Sequence, residues 1–332
     1  MKLCIHRGTH QIGGIAAEIS TASTRILIDM GDELSLDPNF VSAPLNIPGV
    51  TDENGRCDAV LFTHYHGDHI GQMLRIRPEI PIYAGALAKD IMRLSSAHSW
   101  KKDEALCKRI ETIRTFSAGV PFLIGDIQIT PFSIDHSAAD SYLFLIEADG
   151  KRVLYTGDFR LHGVRGETMD KILDRRIGKV DVVVTEGTTV SRSEHEVVTE
   201  WDLQKRVKAY LRQYKYVFVL CATTNLDRIF ALARAVPRGK YCICDDYQKM
   251  LVETVSKHWN GISSFYEMPK LLSFKYHPPA RFAELGGLMF VRANSKFEAI
   301  IRQYDPAQSI LLYSMWDGYR TKPGSTIPDF LS

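Results

Sequence analysis

Short apolar runs alternate with polar turns along the whole chain. Residues 2–6, 15–20 and 25–29 carry strand-type runs separated by a glycine-rich segment, Gly8 to Gly14, and a Ser/Thr-rich turn, which predicts a β-meander. Residues 31–56 are polar, contain proline and show no period; they are read as a long loop over the site. Asp58-Ala59-Val60-Leu61-Phe62 predicts a buried strand, and residues 70–75 the first turns of a helix. A short strand at 81–84 and helices at 85–100 and 101–112 follow. Residues 127–136 read as a strand, and 142–148 with 151–155 as a hairpin across Asp149-Gly150. Asp181-Val182-Val183-Val184 reads as a further buried strand. Beyond it the rhythm changes. An amphipathic helix is expected over 193–214, with Val197, Trp201, Val207 and Leu211 on its apolar side. Strands at 216–222, 241–244, 288–291 and 309–313 then alternate with helices at 224–235, 246–258 and around 295–304. Such alternation predicts a parallel sheet with helices on its faces.

Between the strand at 58–62 and the helix after it lies Thr63-His64-Tyr65-His66-Gly67-Asp68-His69. Imidazole nitrogens and carboxylate oxygens are ordinary ligands of Zn²⁺ and similar ions. A turn can splay such closely spaced ligands in different directions, so His64 and His66 are read as serving one ion, with Asp68 and His69 serving a second beside it. Asp29 closes the apolar run Ile26-Leu27-Ile28, and His136 and Asp158 also stand at strand ends. Each is a ligand type in a position where a plain turn residue is equally common.

Composition narrows the classes. The chain has 332 residues, enough for one large or two medium domains, and is 45% hydrophobic, enough for a sizeable core. A net charge of +2 lacks the strong basic excess of many nucleic-acid binders, although a local groove can be basic on a near-neutral protein. Six scattered cysteines, with no visible signal peptide, point to buried thiols in a reducing, cytoplasmic setting. No apolar run approaches the roughly 20 residues that span a membrane. His98 and His277, without ligand-like neighbours, are read as structural and as an exposed loop residue.

The run from His64 to His69 resembles the HxHxDH signature of the metallo-β-lactamase superfamily. His136 and Asp158 follow in the order of that superfamily's later motifs, and Asp29 is similar to its first. Asp181 to Thr188, with Glu186 in a Glu-Gly-Thr context, resembles the β-CASP branch, the nucleases of DNA and RNA. The resemblance implies an α/β protein. It pairs a metallo-β-lactamase αββα sandwich, expected over residues 1–195, with a Rossmann-like β-CASP cap domain over 196–332. It implies two divalent ions, zinc with manganese as the alternative. His64, His66 and His136 would hold one ion and Asp68, His69 and Asp158 the other, with Asp158 bridging and Asp29 supporting the ligands from behind. Asp68, Asp158 and Glu186 take the catalytic roles, and Ser137 and Ser141 are candidates to hold a substrate phosphate. The substrate implied is RNA, or DNA, with a homodimer left open and no membrane partner.

The family pattern continues past the cap with a histidine segment that supplies a general acid and a last ligand. Of the histidines after Glu186, namely His195, His258 and His277, none stands in such a context. The expectation is therefore a truncated or reduced member. Three activities follow from the sequence: a metal-dependent ribonuclease, a hydrolase of small esters, thioesters or lactones, and a weakly active nucleic-acid-binding module.

Overall fold

The computed structural model describes every residue except 36, 38–39, 99–102, 189, 191–197 and 322–324. The chain divides into two compact units, Met1–Ser35 with Val41–Glu196, and Leu36–Phe40 with Val197–Ser332.

The first unit opens with an antiparallel meander of β1 (Lys2–Arg7), β2 (Ala16–Ser20) and β3 (Arg25–Ile28). Strands β4 (Ala59–Leu61), β5 (Ile82–Gly85) and β6 (Arg114–Phe116) then add in parallel, in chain order. A second sheet holds β7 (Phe122–Ile124), β8 (Ile127–Ile134), β9 (Ser141–Ala148) and β10 (Lys151–Tyr155), all antiparallel, with β11 (Val182–Val184) parallel to β10 at the edge. Alternate residues of each strand point to one face. Ala17, Ile19, Ile26, Ile28 and Leu61 of the first sheet therefore meet Ile127, Ile129, Phe144, Ile146 and Val153 of the second in one apolar layer. The outer face of the second sheet, Phe132, Ile134, Leu143, Leu145 and Leu154, is closed by Met169 and Ile177 from a helical segment after β10.

The helices of this unit are α1 (Gly67–Ile70), α2 (Ala86–His98), α3 (Glu104–Glu111) and α4 (Thr168–Ile172), the last continued by a π turn, Leu173–Ile177. In α2 the buried residues Leu87, Ala88, Ile91 and Met92 repeat at helical spacing, and the helix packs on β5 and β6. This is the αββα sandwich.

The second unit carries α5 (Glu200–Gln213), α6 (Leu226–Ala233), α7 (Asp246–His258), α8 (Ala280–Leu285), α9 (Ser295–Ile301), α10 (Gly318–Thr321) and α11 (Thr326–Leu331). Its sheet is wholly parallel, in the order β14 (Leu272–Phe274), β13 (Tyr241–Asp245), β15 (Gly287–Val291), β12 (Tyr216–Cys221), β16 (Ser309–Ser314). Every residue of Tyr216–Cys221 is buried, as a strand covered on both faces requires. Tyr216, Phe218 and Leu220 pack with Phe282 of α8 and Phe297 and Ile300 of α9. The parallel sheet expected from the alternation is present.

Several expectations need correction. Val182 and Val183 are not buried but 42% and 53% exposed, because β11 is an edge strand. Cys4 is exposed and Cys107 half-buried, so only four of the six cysteines are buried. Trp201 of α5 is 46% exposed although placed on the apolar side. The helix after the ligand turn starts inside it, at Gly67, and breaks before a 3₁₀ turn, Met73–Arg75. Ser193, His195 and Val197, the domain boundary at 195/196, and the junction of the two helices at 100/101 lie outside the described residues. Among the described residues no helix is long and apolar enough to cross a membrane.

Candidate metal centre

Asp29 is the first residue past β3. It adopts φ +61°, a left-handed conformation that aspartate tolerates better than most residues. The turn sends its carboxylate into the interior, where it is fully buried. Oδ1 accepts the Thr63 backbone N–H at 2.8 Å. Oδ2 accepts the Thr63 hydroxyl and His69 Nδ1–H, each at 2.8 Å. With its proton given to Asp29, the Thr63 oxygen is free to accept His64 Nδ1–H, 3.1 Å away. One carboxylate thereby fixes two tautomers. In both His64 and His69 Nδ1 carries a proton and Nε2 faces outward, with a free lone pair at His64 and one released at His69 when its second proton leaves; a carboxylate behind the ring prepares a ligand histidine in this way.

The segment is held closely from the other side. A Cβ placed on Gly31 would lie 1.6 Å from the Asp68 carbonyl oxygen, so only glycine allows this approach. Met30 N–H donates to the His69 carbonyl at 2.7 Å.

His64, His66, Asp68 and His69 come from the turn after β4, His136 from just past β8, and Asp158 from just past β10. His64 Nε2 lies 3.1 Å from His66 Nδ1, and His136 Nε2 3.2 Å from the same atom. Beside them His69 Nε2 lies 3.3 Å from Asp158 Oδ2 and 3.8 Å from Asp68 Oδ2. Two donor sets result, His64–His66–His136 and His64–His69–Asp158, each with its atoms within 4.8 Å of one another. Asp68 borders the second through its contact with His69.

The electrostatics follow from burial. Burial, then the neighbouring histidines, pushes His64 well below the usual imidazole range, and burial with His69 brings His66 to about 4. His136 is lowered well below its ordinary value for the same first reason. These three are neutral at pH 7, and each ring nitrogen that faces the centre can offer a lone pair to an ion. For His69 burial also works downward, but the Asp29 and Asp158 carboxylates override it and raise it well above the ordinary value. Burial raises Asp68; it also opposes the charge of Asp158, yet the hydrogen bond and charge of His69 hold Asp158 below its usual value.

This donor set fits divalent ions. Three neutral, buried imidazoles bring their ring nitrogens together around His66 Nδ1, and His69 Nε2 lies between the Asp158 and Asp68 carboxylates. Three nitrogens suit one ion, and mixed nitrogen and carboxylate ligands a second.

A cavity of about 600 Å³ adjoins the centre, lined by the loop from Gly8 to Gly13, by Asp68, His69 and Asp158, and by Thr185 to Thr188. Glu186, on its wall, is half-buried and accepts the Phe159 N–H at 2.8 Å. Burial and then the charge of Asp158 raise its carboxyl.

Ser137 is half-buried in the turn after His136. Ser141 does not fit the substrate-binding role expected of it. It is buried in β9 and its hydroxyl donates to the Ala138 carbonyl at 3.1 Å, so it closes the turn.

Sequence reasoning missed the groups that hold this turn. The Ala139 N–H donates to Tyr65 Oη at 2.9 Å. Asp140 is buried and accepts the Ala88 N–H at 2.7 Å and the Tyr142 hydroxyl at 2.8 Å. Thr63, the hub of the tautomer network, is adjacent to the ligand run, and an alcohol beside a ligand histidine was the available signal.

A family model described as a beta-lactamase superfamily domain matches residues 24–218. An RNase J-like protein of Methanocaldococcus jannaschii is 28% identical over 194 residues, 56% of this chain and 42% of that one. The transcription termination factor FttA of Methanothermobacter thermautotrophicus is 26% identical over 200 residues, 54% of this chain and 30% of its own. Ribonuclease J of Helicobacter pylori is 26% identical over 160 residues, covering 46% and 22% respectively. The chain thus matches less than half the length of each relative. A crystal structure of a protein of unknown function from Enterococcus faecalis shares the fold, with a TM-score of 0.68 at 16% identity over 95% of this chain and 88% of that one. The chain belongs to the metallo-β-lactamase superfamily, and its resemblances within it are to β-CASP proteins of the ribonuclease J type.

Proposed function

We propose that the protein is a metal-dependent phosphodiesterase that cleaves RNA. The observation that carries this reading is the pair of adjoining donor sets around His64, opening on a cavity wide enough for a nucleotide-sized group. His64, His66 and His136 would hold one divalent ion, and His69, Asp158 and Asp68 a second. When bound, such ions lower the pKa of water and stabilise charge on a scissile phosphate.

The remaining work falls to the chain. Asp29, through Thr63, keeps the Nε2 lone pairs of His64 and His69 aimed at the centre. Asp68 and Asp158 orient the attacking water and accept its proton. Glu186, close enough to Asp158 for their charges to couple, shapes the far wall of the cavity. Ser137, in the turn that delivers His136, is the hydroxyl offered to a non-bridging phosphate oxygen. The second unit, with its parallel sheet, takes the part of the β-CASP cap. The RNase J-like relatives favour RNA over a small ester.

The test is cleavage of an end-labelled oligoribonucleotide by protein loaded with Zn²⁺ or Mn²⁺, beside a matched oligodeoxyribonucleotide and a chromogenic lactam. Cleavage of RNA that is lost in His66→Ala supports the reading. Turnover of the lactam alone, or RNA cleavage undiminished in His66→Ala, refutes it.

A further inference from the structure

The cavity beside the metal centre holds one exposed titratable side chain that the reading above leaves without a task. Of the charged or titratable residues that line it, Arg7 is tied to the Gly14 and Gly31 carbonyls and to Glu33. His69 and Asp158 belong to a donor set that Asp68 borders, Glu186 accepts the Phe159 N–H, and Tyr155 is buried. His10 is exposed and makes no hydrogen bond among the described residues, yet it lines the same cavity.

The loop that carries it is anchored to the centre itself. Ile15 N–H donates to the Asp68 carbonyl at 3.1 Å. Gly13, at φ +76°, lies so close to Asp68 that an added Cβ would come within 2.9 Å of the aspartate's own Cβ. Gly13 also bridges to Glu33, and Gln11 Nε2 donates to the Gly13 carbonyl at 3.2 Å. His10 therefore stands three residues from Gly13, which packs against Asp68, on backbone pinned at its far end.

Hydrolysis of a phosphodiester leaves an alkoxide, a poor leaving group unless it is protonated as the bond breaks. Imidazole is the side chain best suited to give and regain a proton near neutral pH. We infer that His10 donates the proton taken up by the leaving-group oxygen, an inference that rests on the phosphodiesterase reading. In the step the water oxygen bonds to phosphorus and gives up its proton to the carboxylates. The bond from phosphorus to the leaving oxygen breaks with its electron pair on that oxygen, which takes the imidazolium proton. Solvent then reprotonates His10, so no further reagent is consumed.

A general acid is diagnosed by leaving-group dependence. The full chain and His10→Gln, each loaded with Mn²⁺, are compared on an oligoribonucleotide and on bis(p-nitrophenyl) phosphate, whose leaving group departs without a proton. His10→Gln is expected to lose about 100-fold or more on RNA and less than about fivefold on the activated ester. Metal content per chain should stay that of the wild type, and added imidazole should restore part of the RNA rate to His10→Gly. Undiminished RNA cleavage, an equal loss on both substrates, or loss of metal would each overturn the role of His10 while leaving the phosphodiesterase reading standing. A wild-type protein that hydrolyses neither phosphodiester overturns both.

Discussion

Asp29→Asn changes one atom type at the hub of the proposed centre. Asparagine also tolerates the left-handed backbone at this position, so the turn after β3 is kept. Its amide oxygen can still accept the Thr63 N–H. Its nitrogen, however, replaces the oxygen that accepted both the Thr63 hydroxyl and His69 Nδ1–H. The donors now face a donor. Relief comes only by reversing the chain of protons. The amide donates to His69 Nδ1, which moves that ring's proton to Nε2. The Thr63 hydroxyl turns to His64 Nδ1, with the same result there. Both Nε2 atoms that face the centre then hold a proton and cannot ligate. Hydrogen bonds to a charged group contribute about 1.5–3 kcal/mol each, and removing such a support costs about 10- to 100-fold in metal affinity. That loss corresponds to about 1.4–2.8 kcal/mol. The assay is competition for Zn²⁺ against a chromophoric chelator, with circular dichroism to verify the fold. Folded Asp29→Asn protein that binds Zn²⁺ within about threefold of wild type would refute the tautomer argument, since the support effect starts near tenfold.

Metal binding should also release protons. His69 is the only ring of the four whose value is raised in the metal-free chain, so at pH 7 it must give up its proton to ligate through Nε2, whereas His64, His66 and His136 are already neutral. Calorimetry in buffers of different ionisation enthalpy should find about one proton released from the histidines at pH 7, falling away as the pH rises above the His69 value; release of three or more would contradict the assignment. His66→Ala removes the nitrogen that faces both His64 and His136, and metal analysis should show at least one ion fewer per chain than wild type. In the second unit Arg228 makes a two-pronged ion pair with Glu200, at 2.6 and 2.8 Å, and the acid is almost fully buried. Arg228→Met should therefore destabilise that unit by about 3–5 kcal/mol in urea unfolding, because it strands a buried charge.

The fold was legible where one physical signal dominates. Tyr216–Cys221 and Gly287–Val291 are buried throughout, and an unbroken apolar run between helical patterns is how a parallel strand covered on both faces looks in sequence. The same signal misleads at β11. Three consecutive valines look like an interior strand, but Val182 and Val183 are exposed because the sheet ends there, and a sequence does not state which strand is the edge. Short strands such as Arg114–Phe116 and Phe122–Ile124 escaped notice because three residues are too few to establish a period, and their pairing with distant strands is what makes them strands.

The centre was legible for a different reason. His64, His66, Asp68 and His69 announce themselves because six residues carry four ligand side chains, whereas His136 and Asp158 are ordinary strand-end residues whose meaning depends on order. The structure brings all six to one place, yet what prepares them lies elsewhere in chemistry and sequence. Thr63 has no ligand atom, and Asp29 is 34 residues upstream of it; Asp140 and Tyr65 fix the His136 turn through backbone donors that any residue could supply. Ligand residues are chosen by element type and so leave a pattern. Supporting residues are chosen by where a lone pair or an N–H falls in three dimensions, which depends on the turn at Asp29 and the close approach at Gly31. His10 belongs to this second kind. Its neighbours in sequence give no hint of chemistry, and only the anchoring of Gly13 and Ile15 to Asp68 brings its loop to the cavity wall.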